Sequence, residues 1–214
     1  MKVSGNKAVA EESVRPSWLF FSRGFTLIEL LVVIAIIGVL AAILMPALNS
    51  ALTKAEKARA QTELTQIVAA IKAYYGDYGR MPVAVADDGA PDKTYGAKNK
   101  PNKQKVIMDN LRAKDNVGNP KGTVFLDVPK DSMIGTDKDG GSYVEADGYY
   151  LDPWGNPYVL SVDANFDGSA FLSGLDSPPA PSASMTVTSF LAVAISYGPD
   201  PGSTKSFLTS WGKN

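Results

Sequence analysis

The sequence predicts an α+β protein: one long N-terminal helix, half of it membrane-spanning, whose outer half packs on a small antiparallel β-sheet head. Three observations carry this reading. Phe25 to Met45 is an apolar run with a single charge, Glu29. Apolar residues then recur at three- and four-residue steps as far as Tyr75, the period of a helix with one buried stripe. Beyond that, short Val-, Tyr- and Ile-rich runs alternate with Gly, Pro and Asp clusters, which read as short strands joined by turns. The chain divides accordingly into residues 1–24 as a leader, 25–46 as the transmembrane half of the helix, and 47–214 as the head, including the amphipathic half.

The leader carries Lys2, Lys7, Arg15 and Arg23 against Glu11 and Glu12. Positive charge just before a span keeps that side cytoplasmic, so the head is expected on the far side. The span itself has 21 residues from Phe25 to Met45, and a helix of about 20 apolar residues crosses a hydrocarbon core. A helix satisfies its own backbone in lipid, which extended chain cannot do. A secretory signal peptide fits less well, because the run is long and no small-residue cleavage site ends it. Glu29 is the oddity. A carboxylate within a span is costly and marks function by default; the plainer reading is a simple anchor that happens to contain a glutamate.

From Ala47 the predicted stripe is Leu48, Leu52, Ala55, Leu64, Ile67, Val68, Ile71, Tyr74 and Tyr75, with a gap across Ala58 and Thr62. Lys54, Lys57, Arg59, Gln61, Glu63 and Lys72 take the other faces. Pro46 lacks an N–H and clashes with the preceding turn, so a kink is expected there, not a stop, since helix-forming sequence resumes at once. Gly76, Gly79 and Pro82 end the helix.

In the head, residues 83–122 are polar, with a short helix expected between Lys103 and Lys114 around Val106, Ile107 and Leu111. The lysines gathered there read as a solvated face or, more sharply, as a subunit contact that could meet the acidic stretch from Asp127 to Asp200. Gly148 to Val162 reads as a β-hairpin around Pro153-Trp154-Gly155-Asn156, with Trp154 as the packed aromatic that anchors it. Asp163-Ala-Asn165-Phe-Asp167-Gly168 fits the opening of a calcium loop, in which alternate oxygens converge and glycine permits the turn. The twelfth position is Gly174 where a bidentate glutamate is wanted, so an Asx-rich turn explains the same residues. Ser177 to Ser182 is a linker-like loop, and Met185 to Tyr197 is the last good strand.

Composition removes whole classes of chemistry. The 214 residues carry a formal net charge of −1, with no cysteine and no histidine. Bulk nucleic-acid binding is not expected. Zinc fingers, thiol catalysis and histidine-based triads are excluded. No catalytic residues are marked, and the chain is not expected to be an enzyme.

Gly24-Phe25-Thr26-Leu27-Ile28-Glu29, with the apolar run behind it, resembles the cleavage and methylation site of type IV prepilins and type II secretion pseudopilins. The resemblance implies that residues 1–24 are a prepilin leader, that a prepilin peptidase cuts after Gly24 and methylates the new amine of Phe25, and that Glu29, fifth in the mature chain, serves assembly. Gly38 and Pro46 fall where that family has a helix-softening glycine and proline. Tyr74 to Pro82 resembles the family's helix exit. Asp152-Pro153-Trp154-Gly155-Asn156-Pro157-Tyr158 is similar to a motif of the major pseudopilin head, and the missing cysteines lean the same way, because many type IV pilins close a C-terminal loop with a disulfide. Ser196 to Asp200 resembles the strand end that leads into the family's calcium loop. It adds Asp200 to Asp163, Asn165 and Asp167 as candidate calcium ligands, although no acid follows it here. The implied function is a structural subunit of a type II secretion pseudopilus, single-pass in the inner membrane with a periplasmic head, then stacked helix against helix into a short periplasmic filament. The implied partners are other copies of the chain, the prepilin peptidase, minor pseudopilins and an inner-membrane assembly platform; no cofactor is required beyond the calcium candidate. A type IV pilin of a surface pilus, for adhesion, motility or DNA uptake, is the alternative within the family. A membrane-anchored binding module whose 83–147 insert holds a ligand is the alternative outside it.

Overall fold

The computed structural model describes residues 24–97, 104–114, 117–136, 142–143, 148–173, 175, 184–200 and 206–211. The leader before Gly24, Gly174 and the 177–182 loop lie outside the described residues. The chain separates into two compact units, Met1–Leu48 and Asn49–Asn214.

In the first unit the described chain is three residues without regular structure followed by helix α1, Leu27–Tyr78, which continues beyond the unit. Pro46 lies inside α1 and does not end it. Every residue from Gly24 to Leu48 is exposed, and no large apolar side chain between Phe25 and Met45 is less than 45% exposed.

In the second unit α1 runs on to Tyr78 and buries Ala60, Glu63, Leu64, Ile67, Ala70, Ile71 and Tyr74. The expected stripe therefore begins later than Leu48. Leu48 and Leu52 remain 54% and 53% exposed, and the first buried residue of α1 is Ala60. The expected end at Tyr75 also moves: Gly76 stays helical, and the helix stops at Gly79, whose φ of +66° costs glycine little.

The sheet is antiparallel with strand order β1-β4-β7-β8, formed by Thr94–Tyr95, Val159–Val162, Ala192–Ser196 and Leu208–Thr209. Two further pairs stand beside it: β2 with β3, Gly135–Thr136 and Ser142–Tyr143, and β5 with β6, Ser169–Ser173 and Ser184–Thr188. Every residue of β4 and β7 is buried, and their register explains why. Leu160 faces Ala194 and Val162 faces Ala192, on the side where Leu64, Ile67, Ile71 and Tyr74 of α1 close the main core. Val159 opposite Ile195, with Val193, turns to the other side and packs on Ala170, Leu172 and Val187 of the β5–β6 hairpin. The sheet is thus the middle layer between helix and hairpin, which is why its strands read as apolar runs instead of alternating ones. The fold is the expected α+β arrangement of a long N-terminal apolar helix with an antiparallel sheet.

Three strand expectations need correction. Met185 to Tyr197 is two strands, broken at Ser189 with φ +66°; β6 pairs with β5 while β7 pairs with β4 and β8. β8 follows it, so it is not the last strand. The hairpin at 148–162 is reduced to one bridge, Leu151 with Pro157, flanked by bonds from Asp152 N–H to Asn156 C=O at 2.8 Å and from Tyr158 N–H to Tyr150 C=O at 3.0 Å. Pro157 cannot donate to a ladder, and the next slot is filled by the buried amide of Gln104, whose Nε2 donates to Tyr158 C=O and whose Oε1 accepts from Tyr150 N–H. Gly96, at φ +82°, gives that amide room: a Cβ there would lie 2.6 Å from Gln104 Nε2. The short helix expected after Lys103 is α2, Lys105–Leu111.

Candidate functional site

The first functional residues open α1. Thr26 is its N-cap and Glu29 lies three residues on. Glu29 Oε2 accepts from Thr26 N–H at 2.8 Å and from Thr26 Oγ1 at 2.7 Å, while Thr26 Oγ1 accepts from Glu29 N–H at 3.3 Å. This is a capping box, in which the first-turn N–H groups that a helix cannot satisfy internally are satisfied reciprocally. Glu29 is therefore not the unpaired carboxylate that the apolar run alone suggests. Gly24 and Phe25 precede the helix and are exposed. A Cβ on Gly24 or on Gly38 would meet no atom within 4 Å, so neither glycine is demanded by packing within the chain.

The second group ties α1 to the sheet. Glu63, only 7% exposed, accepts from Arg59 Nε at 2.8 Å and from the Tyr158 hydroxyl. Arg59 also reaches Ser132 Oγ at 3.1 Å. Burial, then the bond to Glu63, pushes the Tyr158 hydroxyl far above the ordinary tyrosine range, and burial with the charge on Glu63 does the same at Tyr150. Periodicity had placed Glu63 on a polar face. The missed signal is the Arg59–Glu63 spacing of four, which lets a buried acid bring its own cation.

Two turns before Glu63, Trp154 Nε1 donates to Glu56 Oε2 at 3.0 Å, so the expected anchoring aromatic pins the turn to the helix. Asp152 shapes that turn. Its Oδ1 accepts from Trp154 N–H at 3.0 Å and Asn156 N–H at 2.8 Å, and its Oδ2 from Ser196 Oγ at 2.7 Å. Burial raises the Asp152 carboxyl above its usual range, against these bonds.

The third group is acidic. Carboxylate oxygens of Asp92, Asp163 and Asp167 lie within 4.8 Å of one another. Two of the four expected calcium ligands are thus brought together, with Asp92 as a third that spacing could not reveal. Asn165 is exposed beside them, donating from Nδ2 to Asp167 Oδ2 at 2.9 Å. Asp200 is not in the group; its N–H donates to Ser206 Oγ at 2.9 Å. The acids are also occupied by the chain itself. Asp163 accepts from the N–H groups of Asp167 and Gly168, and Asp92 from those of Ala164 and Phe171. These are the bonds of an Asx-rich turn, and Asp92 uses them to hold β5 beside β1. Phe166, at φ +60° and tilted against Tyr75 with ring centroids 5.7 Å apart, forms the exposed tip. Burial pushes the Asp92 carboxyl up, and the charge on Asp163 adds to that rise while the Ala164 N–H opposes it.

Among the described residues, three lysines of the basic stretch are paired within the head. Lys93 pairs with Asp87, Lys105 with Asp109 at 2.6 Å, and Lys121 with Asp77 at 2.5 Å.

Comparison with known proteins places the N-terminal group. Residues 20–45 match the family model described as the prokaryotic N-terminal methylation motif. The chain is 39% identical over 74 residues to the type IV major alpha-pilin of Moraxella bovis, covering 35% of this chain and 46% of that one. It is 40% identical over 60 residues to the type II secretion system core protein G of Pectobacterium carotovorum, covering 28% and 38%. It is 41% identical over 59 residues to the type IV major pilin protein PilA of Myxococcus xanthus, covering 28% and 27%. The chain spans less than half the length of each of these relatives. No solved structure matches it. With its methylation motif, its capped apolar helix and its α+β head, the chain is similar to type IV pilins and to the type II secretion core protein G over its N-terminal part.

Proposed function

We propose that this chain is a structural subunit of a type II secretion pseudopilus. It waits in the inner membrane as a single-pass protein with a periplasmic head, loses its leader by cleavage after Gly24, and is stacked helix against helix with other copies. The observation that carries this reading is the bare apolar helix. From Phe25 to Leu52 its large side chains stay about half exposed or more, a patch far beyond what a soluble monomer leaves to water. Lipid covers it in the waiting subunit, and the helices of other copies cover it in the filament. Gly38 fits the same account. A helical glycine costs ~1 kcal/mol relative to alanine and gains no contact within the chain, but it lets a second helix come close. A pseudopilus is favoured over a long surface pilus by the Asp152–Tyr158 turn seated on α1 and by the absence of cysteine.

Glu29 supplies the assembly logic. Inside a filament it is buried among apolar helices and needs a cation. Leader cleavage creates one, the amine of Phe25 on a neighbouring copy. At an effective dielectric of ~20, charges ~4 Å apart attract by ~4 kcal/mol, enough to offset much of the desolvation, and such pairs fix register more than they add strength. The test is reconstitution of the chain with a prepilin peptidase, the assembly platform and a secretion ATPase. Short periplasmic fibres that require the ATPase support the reading. Long surface fibres assign the chain to a pilus instead, and membrane-bound monomers alone overturn the filament role.

A further inference from the structure

In the described chain, the first charge after Glu29 is Lys54, so Leu30 to Thr53 is a stretch of 24 uncharged residues, about 36 Å as a helix. A bilayer's hydrocarbon core is ~30 Å thick, and ~40–45 Å with its headgroups. With Glu29 at one headgroup layer, Lys54 reaches the other. Two contacts then bring parts of the head to α1 within five residues after Lys54. Trp154 Nε1 bonds Glu56, and Ser132, in the turn Lys130–Met133, bonds Arg59. The resulting edge carries exposed Lys54 and Lys130, half-buried Lys57 and Trp154, and Ile134 and Leu52, each 53% exposed. Its acids are Glu56, engaged by Trp154, and exposed Asp131; Arg59 is taken up by Glu63. Free ammonium groups, an indole and bare aliphatic side chains on one edge are the set that favours a membrane–water interface.

We propose that this edge, Lys54, Lys57, Lys130 and Trp154, rests on the anionic phospholipid surface while the subunit waits in the bilayer. The inference rests on the membrane-waiting reading above. Docking orients the head against its own membrane, and assembly must lift it off, so the lipid contact competes with filament entry. Each lysine near an anionic surface shifts the docked-to-free ratio about five-fold.

The full chain is placed at one copy per nanodisc, in phosphatidylcholine alone or with phosphatidylglycerol, and its lysines are acetylated and mapped by mass spectrometry. Lys54, Lys57 and Lys130 are expected to be protected only in the anionic discs, while Lys72 labels equally in both. In a variant with Trp18 and Trp211 changed to phenylalanine, a headgroup nitroxide is expected to quench Trp154 in anionic discs. Lys54→Gln, Lys57→Gln and Lys130→Gln should each lower that docked ratio about five-fold. A chain that enters the discs but shows equal labelling in both lipids overturns this inference alone. A chain that fails to enter overturns the membrane reading with it. Protection that appears only at several copies per disc assigns the edge to a second copy and overturns the lipid contact.

Discussion

The Glu63–Tyr158 bond gives the sharpest test of how the helix is held to the head. Tyr158→Phe removes one hydroxyl and no packing volume. It takes a donor from a buried carboxylate that keeps Arg59. A hydrogen bond to a charged group contributes ~1.5–3 kcal/mol, so ~2 kcal/mol is expected. For a unit of the size of Asn49–Asn214, that lowers Tm by about 4–8 °C. Glu63→Gln with Tyr158→Phe closes a double-mutant cycle, and residues in direct contact couple by ~0.5–3 kcal/mol. The pH dependence follows from sign. The Tyr150 and Tyr158 hydroxyls titrate higher in the folded chain than the ordinary value of 10.0. Their contribution is fully present below pH ~10 and is lost as pH rises from there through the folded values. Calorimetry of the 49–214 fragment, which contains both buried clusters, should show Tm falling above pH ~10, less steeply in Tyr158→Phe. A Tyr158→Phe protein within ~0.5 kcal/mol of the parent, with an unchanged alkaline slope, would refute the reasoning.

Co-expression with a prepilin peptidase should leave a chain beginning at N-methylated Phe25. Gly24→Leu should block the cut without disturbing the fold, since a side chain there meets nothing; intact-mass analysis reads both. Asp152→Ala leaves the buried N–H of Asn156 and that of Trp154 without their acceptor, at ~1–3 kcal/mol each. Asp152→Asn keeps an acceptor and should stay within ~1 kcal/mol at neutral pH, because burial already disfavours the charge; denaturant titration separates the two. We propose calcium as the ion for the Asp92, Asp163 and Asp167 oxygens, and a hundredfold excess over Kd would add ~2.7 kcal/mol. Superimposed melting curves in calcium and in chelator would leave the group as a turn alone.

What was legible in the sequence followed from period and from single-residue signals. The apolar run and the helical period need no tertiary partner to be recognised, whereas the Thr26–Glu29 cap and the stop at Gly79 instead of Tyr75 emerge only in the structure. The rest depended on partners far along the chain. Asp92 lies 71 residues before Asp163, so no loop motif could join them. Gln104 reads as an ordinary polar residue until the turn's outer pair is seen to lack a ladder bond. Glu63 was assigned to water because a charge on a helix is usually solvated; only Tyr158, 95 positions on, makes its burial tolerable. Met185 to Tyr197 looked continuous because its composition is β-prone throughout, and the break at Ser189 arises where the chain crosses from the outer hairpin to the middle sheet.

Glu29 caps α1 with Thr26, and we propose that it also pairs with the amine of a neighbouring copy; one pair of substitutions separates the two. The capping box already satisfies the first turn of α1, so Glu29 has a partner within its own chain. Glu29→Ala removes both the cap and the charge. Glu29→Gln removes only the charge, because glutamine serves at the same position of a capping box. If the neighbour's amine is what Glu29 must meet, both variants insert and are cut, and neither forms fibres. If the cap is what matters, Glu29→Gln assembles normally and Glu29→Ala does not, with a loss of ~0.5–2 kcal/mol at the helix start. The charge-pair account therefore stands on the glutamine variant. Normal fibres from Glu29→Gln, with the leader removed, would sink it and leave Thr26 as the partner that matters.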